Sequence, residues 1–284
     1  MVINMSGYSL DSAIKSNVVK NKKKKKLIKF SSIFFNIVGF LEISFIILVI
    51  SSLFIRPSLT DYKQILFNTN TINTIIITLI SVVISTTLII LIGIPTAFFI
   101  ANKNNRTYAL MTGIISIPLS LPPSIAGLAL LMTLGRKGIL GDVLNYFNLN
   151  IPFTFLAIVI AQIFVSSPLF IQSVKEGFAE IDDSIKEAAL VYGAGYKELL
   201  LYIYIPMSKR NILTGITMSM LRSFGEFGAT MMFAGNLPGK TQTLSTLIYT
   251  YVQKNTLQAV ALAGIHVLFF LFPILFINLI FSNK

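Results

Sequence analysis

The stretch EAALVYGAGYKELLLYIYIP, residues 187–206, is short, begins polar, and lies between two long apolar runs. Ser184 stands three residues before Glu187. That is the spacing of a capping box, in which each side chain satisfies the other's backbone donor. Asp182 and Asp183 put negative charge near the helix start, where the helix dipole favours it. Gly193 suits the helix end, because glycine takes a left-handed cap without Cβ strain. The expectation is a short helix over about residues 184–192, with a small-residue patch at Ala188 and Ala189 that another protein can approach closely. On periodicity alone, an ordinary connecting helix lying on the membrane surface is the better reading.

The rest of the chain explains why such a stretch stands out. Of 284 residues, 54% are hydrophobic and 12% charged, a balance that indicates a polytopic membrane protein. The chain has no cysteine, so disulfide and thiolate chemistry are excluded. With one histidine it holds no His-rich metal cage, and its eleven acids are scattered. A formal charge of +12 would suggest nucleic acid in a soluble protein. Here the basic residues sit mainly between apolar runs, where they orient spans, and nucleic acid is not an expected partner.

Residues 1–30 form a basic segment with five consecutive lysines at 22–26. The apolar run at 31–55 is too long for a cleaved signal and long enough to span a bilayer. Five more runs follow, at about 72–100, 108–134, 151–174, 212–234 and 257–281, each exceeding the roughly 20 residues needed to cross. Pro95, Pro118, Pro122, Pro123 and Pro168 fall in or near them, breaks that a bundle tolerates where neighbours satisfy the freed backbone. With the N-terminus inside, inner segments carry sixteen Lys and Arg against six in outer loops. By the positive-inside rule the loop at 175–211 is cytoplasmic. The expected fold is an all-α polytopic membrane protein with six spans and both termini cytoplasmic: a basic segment at 1–30, then a transmembrane domain over 31–284.

The spacing Glu187-Ala188-Ala189, three residues, Gly193, nine residues, Ile203, one residue, Ile205-Pro206 resembles the EAA loop of permease subunits of bacterial ATP-binding cassette (ABC) importers. The family carries Leu where this chain has Ile205. Two further stretches resemble the molybdate branch. One is Ser223-Phe224-Gly225-Glu226-Phe227-Gly228-Ala229-Thr230 with 233–244 after it; the other is Leu121-Pro122-Pro123-Ser124-Ile125-Ala126-Gly127 with 134–141. Tungstate permeases are close to that branch, and sulfate and thiosulfate permeases are related. The resemblance covers about 65–280.

Several residues carry alternatives. Residues 234–241, AGNLPGKT, fit a loose phosphate-binding loop but follow an apolar span instead of a strand, so nucleotide binding here is not expected. Arg222 and Glu226 are conspicuous charges within a span, four residues apart on one face. Either Arg222 attracts a passing oxyanion while Glu226 limits how tightly it holds, or the two neutralise each other structurally. Gly225, Gly228 and Ala229 beside them suggest close helix packing. Glu42 is given no role, and His266 is either a proton relay or a hydrogen-bonded packing residue. Ser, Thr and Asn in the second and third spans either line a polar path or hold helices together.

The resemblance implies the permease of an ATP-driven importer for molybdate or tungstate, with a sulfate permease as the alternative, located in the cytoplasmic membrane. It implies a homodimer, two ABC ATPase subunits docked around Glu187, Ala188, Ala189 and Gly193, and an extracytoplasmic molybdate-binding protein. ATP is bound by the ATPase, and this chain needs no cofactor. Transport proceeds by alternating access. A secondary transporter working alone is the reading from another class, but no clear internal repeat favours it. No nucleophile–base–acid arrangement supports an enzyme.

Overall fold

In the computed structural model residues 33–101 and 106–282 are described; the expected basic segment at 1–30, Lys103 and Lys284 lie outside them. The chain divides into two compact units, Met1–Ile55 and Arg56–Lys284. The first holds helix α1, Ile33–Ile55, which is exposed along its length and carries the exposed Glu42.

Every secondary-structure element among the described residues of the second unit is a helix. Helix α2 is Leu59–Leu66, α3 Thr69–Ala101, α4 Arg106–Ser120, α5 Pro123–Leu134 and α6 Gly141–Tyr146. Then come α7 Phe155–Ala179, α8 Asp183–Val191 and α9 Tyr196–Leu199, a π-helical turn at Leu200–Tyr204, and α10 Ile205–Met207. The rest is α11 Lys209–Phe224, α12 Gly228–Phe233, α13 Leu244–Val252 and α14 Thr256–Ser282. Among the described residues α1, α3, α7 and α14 are long and apolar enough to cross a membrane, and α4 with α5 makes a fifth if that bent pair is one span.

Two expected spans are therefore not single helices. The run at 108–134 bends by 112° between α4 and α5. Pro122 caps α5 and Pro123 begins it, so the residues that start the second helix also stop the first from continuing. The run at 212–234 ends as a helix at Phe224 and resumes at Gly228. A third boundary moves outward: α7 continues to Ala179, past the expected 174.

The packing centre is α7 between α3 and α11. Small residues make close approach possible there. A Cβ on Gly93 would lie 2.5 Å from Phe170 Cδ1, and one on Gly177 would lie 2.6 Å from Asn211 Cβ. Helix α11 turns Gly215, Ser219 and Ser223, one residue per turn, into the core. The hydroxyl-rich face of α3 is buried too: Thr71, Thr74, Thr78, Ser81 and Ser85 are all closed off from solvent. These hydroxyls sit in helix packing, not along an open cavity.

A knot of aromatic rings closes one end of this core. Phe98, Phe178 and Tyr204 meet edge to face, with centroids 4.9–6.4 Å apart. That ties the last turns of α3 and α7 to the segment following α8.

Candidate functional site

The segment expected to dock a partner is built locally. Asp182 caps α8: its carboxylate accepts from Ser184 N at 2.8 Å, which holds that carboxyl below the ordinary range. Ser184 is thus inside the helix, and the expected Ser184–Glu187 capping box does not form. The capping residue must sit before the helix, with extended backbone, to reach its first free N–H groups, and Asp182 fills that place.

At the other end Gly193 has φ +86°, the left-handed conformation expected of it. Gly193 N donates to Leu190 O and Ala194 N donates to Ala189 O, both at 3.0 Å. These are the two nested hydrogen bonds of a glycine-terminated helix, and they satisfy carbonyls that would otherwise be free.

Around this frame Glu187 and Ala188 are exposed, while Ala189 is half-buried against the aromatic core. The two alanines therefore face different ways. The most exposed apolar groups lie beyond them: Val191 is 85% and Tyr192 91% exposed, with Tyr196 close behind. Sequence reasoning passed over these three.

The second locus is the break between α11 and α12. Breaking a helix inside a bundle frees carbonyls that must find donors. Gln162 Nε2 donates to Ser223 O at 3.4 Å and to Ser81 Oγ at 3.2 Å. Ser245 Oγ donates to Phe224 O at 3.2 Å, and His266 Nε2 contacts the same oxygen at 3.1 Å. Ser223 Oγ donates to Ser166 Oγ at 3.0 Å. His266 is accordingly a buried hydrogen-bonding residue of this knot.

Glu226 completes it. Its Oε1 accepts from Ala229 N at 2.7 Å, at the start of α12, and its Oε2 lies 2.8 Å from Arg222 Nη1. The Glu226 side chain is fully buried; that of Arg222 is 30% exposed. Arg222 and Glu226 are thus joined although Glu226 lies beyond the end of α11. Nearby, a Cβ on Gly228 would stand 2.7 Å from Pro123 Cβ, and one on Gly127 would stand 2.7 Å from Ala229 O. The close packing expected here holds for Gly228. At Gly225 it does not, since the nearest atom to its Cβ is 3.6 Å away.

Residues 234–241 do not form a nucleotide cradle. They follow α12, not a strand, and the Thr241 hydroxyl accepts from Leu237 N at 3.1 Å. Gln242 just beyond donates to Asn236 Oδ1 and accepts from Asn70 Nδ2, each at 2.9 Å, stitching this loop to the start of α3.

A polar groove of about 460 Å³ runs between α7 and α11. From α11 it takes Arg210, Asn211, Thr214 and Met218, and from α7 Gln172 and Glu176. The stripe 211, 214, 218, 222 is one helix face, so Arg222 lies one turn beyond Met218 along it.

The family model described as "Binding-protein-dependent transport system inner membrane component" matches residues 89–284. A probable transport system permease protein, NifC, of Clostridium pasteurianum is 40% identical over 203 residues, 71% of each chain. The molybdenum transport system permease protein ModB of Haemophilus influenzae is 35% identical over 163 residues, 57% of this chain and 71% of that one. A crystallised bacterial alginate ABC transporter, in complex with an alginate-bound periplasmic protein, contains a chain of the same fold. Its TM-score is 0.66 at 16% identity, over 91% of this chain and 95% of that one.

Proposed function

Since the chain belongs to the family of binding-protein-dependent transport system inner membrane components, we propose that it carries a tetrahedral oxyanion, molybdate or tungstate, across the membrane by alternating access. It is a multi-pass inner-membrane transport subunit and not an enzyme; ATP hydrolysis belongs to a separate ATPase. The oxyanion rests on the molybdenum permeases among its relatives and on the stretches 223–244 and 121–141. A sulfate permease remains the second reading through the same resemblance. The working assembly is a homodimer with two ATPases on the cytoplasmic side and a molybdate-binding protein outside.

The observation that carries the mechanism is the exposed apolar tip of a rigidly capped helix. Val191 and Tyr192 stand in solvent on a segment braced through Tyr204 and Phe178 to α3 and α7. An apolar tip that none of the described residues covers marks a partner surface. In our reading the ATPase grips α8 around Glu187, Ala188, Ala189 and Gly193, and the aromatic core passes its motion to the spans. Glu226 locks the break between α11 and α12. Arg222, paired with Glu226 and partly exposed, ends the stripe along which the anion moves.

The test is uptake of radiolabelled molybdate by the reconstituted complex. Gly193→Trp should insert and assemble the bundle but abolish ATP-coupled uptake. Among the described residues no atom lies within 4 Å of a Cβ at Gly193, so a side chain has room to start there, at the cost of its left-handed backbone. Full uptake by that variant defeats the lever. Uptake by the purified chain without ATPase supports a transporter working alone. Stronger competition by sulfate than by tungstate moves the assignment to sulfate.

A further inference from the structure

A second cavity, of about 770 Å³, opens where the end of α3, the start of α4, the end of α7 and the inner face of α8 meet. It shares no lining residue with the α7–α11 groove, and it reaches the docking segment from beneath, through Leu190 and Tyr196. Two lysines line it. Lys175 Nζ donates to the Thr112 hydroxyl at 3.3 Å. That neutral oxygen is its one partner among the described residues, so its charge has no counter-ion there. Lys186 has a side chain only 16% exposed, pairs with Asp183 at 2.9 Å, and stands 5.8 Å over the Tyr204 ring. Asp183 is the one carboxylate in the lining, and its side chain is 85% exposed. The cavity therefore keeps an excess of one positive charge. Its remaining walls are largely apolar, including Phe98, Leu190, Tyr196 and Leu199.

A half-buried ammonium without a counter-ion attracts an anion, more strongly than one in open solvent. The apolar walls make the cavity a poor fit for a small, strongly hydrated dianion. They suit an anion attached to hydrocarbon. The cavity also lies at the ends of α3 and α7, where the hydrocarbon of a bilayer gives way to its headgroups. Basic pockets between spans at that depth take anionic headgroups.

We propose that this cavity binds the phosphodiester of an anionic phospholipid, with Lys175 and Lys186 at the phosphate and an acyl chain along the aromatic wall. The lipid touches α8 through Asp183, Lys186 and Leu190, one face of that helix. Its occupancy steadies the docking helix from beneath while the ATPase holds it from outside. The inference rests on the cytoplasmic placement of α8 but not on which anion is transported.

The experiment uses the assembled complex, purified into nanodiscs of phosphatidylcholine with or without phosphatidylglycerol. Native mass spectrometry reads retained lipid, and ATPase turnover coupled to the binding protein reads function. The wild-type complex should retain phosphatidylglycerol and show higher coupled turnover with it. In Lys175→Met with Lys186→Gln, retained lipid should fall about tenfold and the stimulation should vanish. Lys209→Gln, at an exposed lysine outside the cavity, should change neither. Should the double variant fail to assemble, Lys175→Gln alone serves, because it strands no carboxylate; retained lipid should fall severalfold. Equal retention in the variants overturns the proposal. So does displacement of the lipid by inorganic phosphate or molybdate, which would assign the cavity to a soluble oxyanion. Lipid retention is read without transport, so a wrong transport reading and an empty lipid site give different results.

Discussion

Glu226 holds two elements at once, the last turn of α11 through Arg222 and the first N–H groups of α12 through Ala229. Removing Glu226 leaves the Ala229 N–H buried without an acceptor, while Arg222, 30% exposed, can still reach water. Glu226→Ala should therefore destabilise the bundle by about 1–3 kcal/mol, seen as a lower melting midpoint of the detergent-purified protein. Glu226→Gln keeps an acceptor for Ala229 N and should lose clearly less. Equal losses would mean that the charge pair, not the cap, carries the stability. The glycines divide by a similar argument. Gly228→Ala puts a methyl 2.7 Å from Pro123 Cβ and 3.0 Å from Ser124 N, so α12 must move off α5. The expected cost is about 1–3 kcal/mol. Gly193→Ala meets no atom within 4 Å and pays only for its left-handed φ, about 1–2 kcal/mol. What Gly193 does was legible in the sequence because a helix cap is local. What separates Gly228 from Gly225 was not, since the atoms that crowd Gly228 belong to Pro123 and Ser124, about a hundred residues earlier.

Among the elements, α8 shows how a small shift in capping changes a prediction. The carboxylate that matters is Asp182, whose folded pKa lies below the ordinary aspartate value because Ser184 N donates to it. A depressed folded pKa contributes stability above the unfolded pKa and loses it as pH falls through the folded one. Docking should thus be insensitive to this group from neutral pH down to about 4 and weaken only below that. Asp182→Ala should weaken binding of the ATPase to the reconstituted permease at neutral pH, whereas Asp182→Asn, an equally good cap, should largely preserve it. If both variants bind alike, capping of α8 does not matter to docking. The long helices α3, α7 and α14 were legible as unbroken apolar runs. The breaks at 121–122 and 225–227 were not, because hydropathy persists across them. Pro122 and Pro123 marked the first break as a possibility, but prolines also sit inside α3, α4, α7 and α14 without ending them. The second break is paid for by Gln162, Ser245 and His266, donors whose distance in sequence hides their common target.

For the whole molecule the decisive issue is whether α11 presents one face to an aqueous path. Its inner face, Gly215, Ser219 and Ser223, is packed on α7 and cannot serve. The stripe Asn211, Thr214, Met218 and Arg222 is at least partly accessible and borders the groove of about 460 Å³. A chain without cysteine allows a clean measurement, since any thiol introduced is the only one. Cysteines at Asn211, Thr214 and Met218 should react with a hydrophilic maleimide in the reconstituted complex, and their rates should change when ATP and the binding protein are added. Cysteines at Gly215 and Ser219 should stay unreactive in either condition. Alternating access requires more than exposure: reactivity from the cytoplasmic side should fall as the ATPase closes, because the same residues cannot face both compartments together. A stripe whose labelling is indifferent to nucleotide would be a static surface, and the anion would have to cross elsewhere. A stripe that responds to nucleotide in the wild type but not in Gly193→Trp would join the docking tip to the path as parts of one moving body. The aromatic contacts of Phe98 and Phe178 with Tyr204 are the physical link such coupling requires.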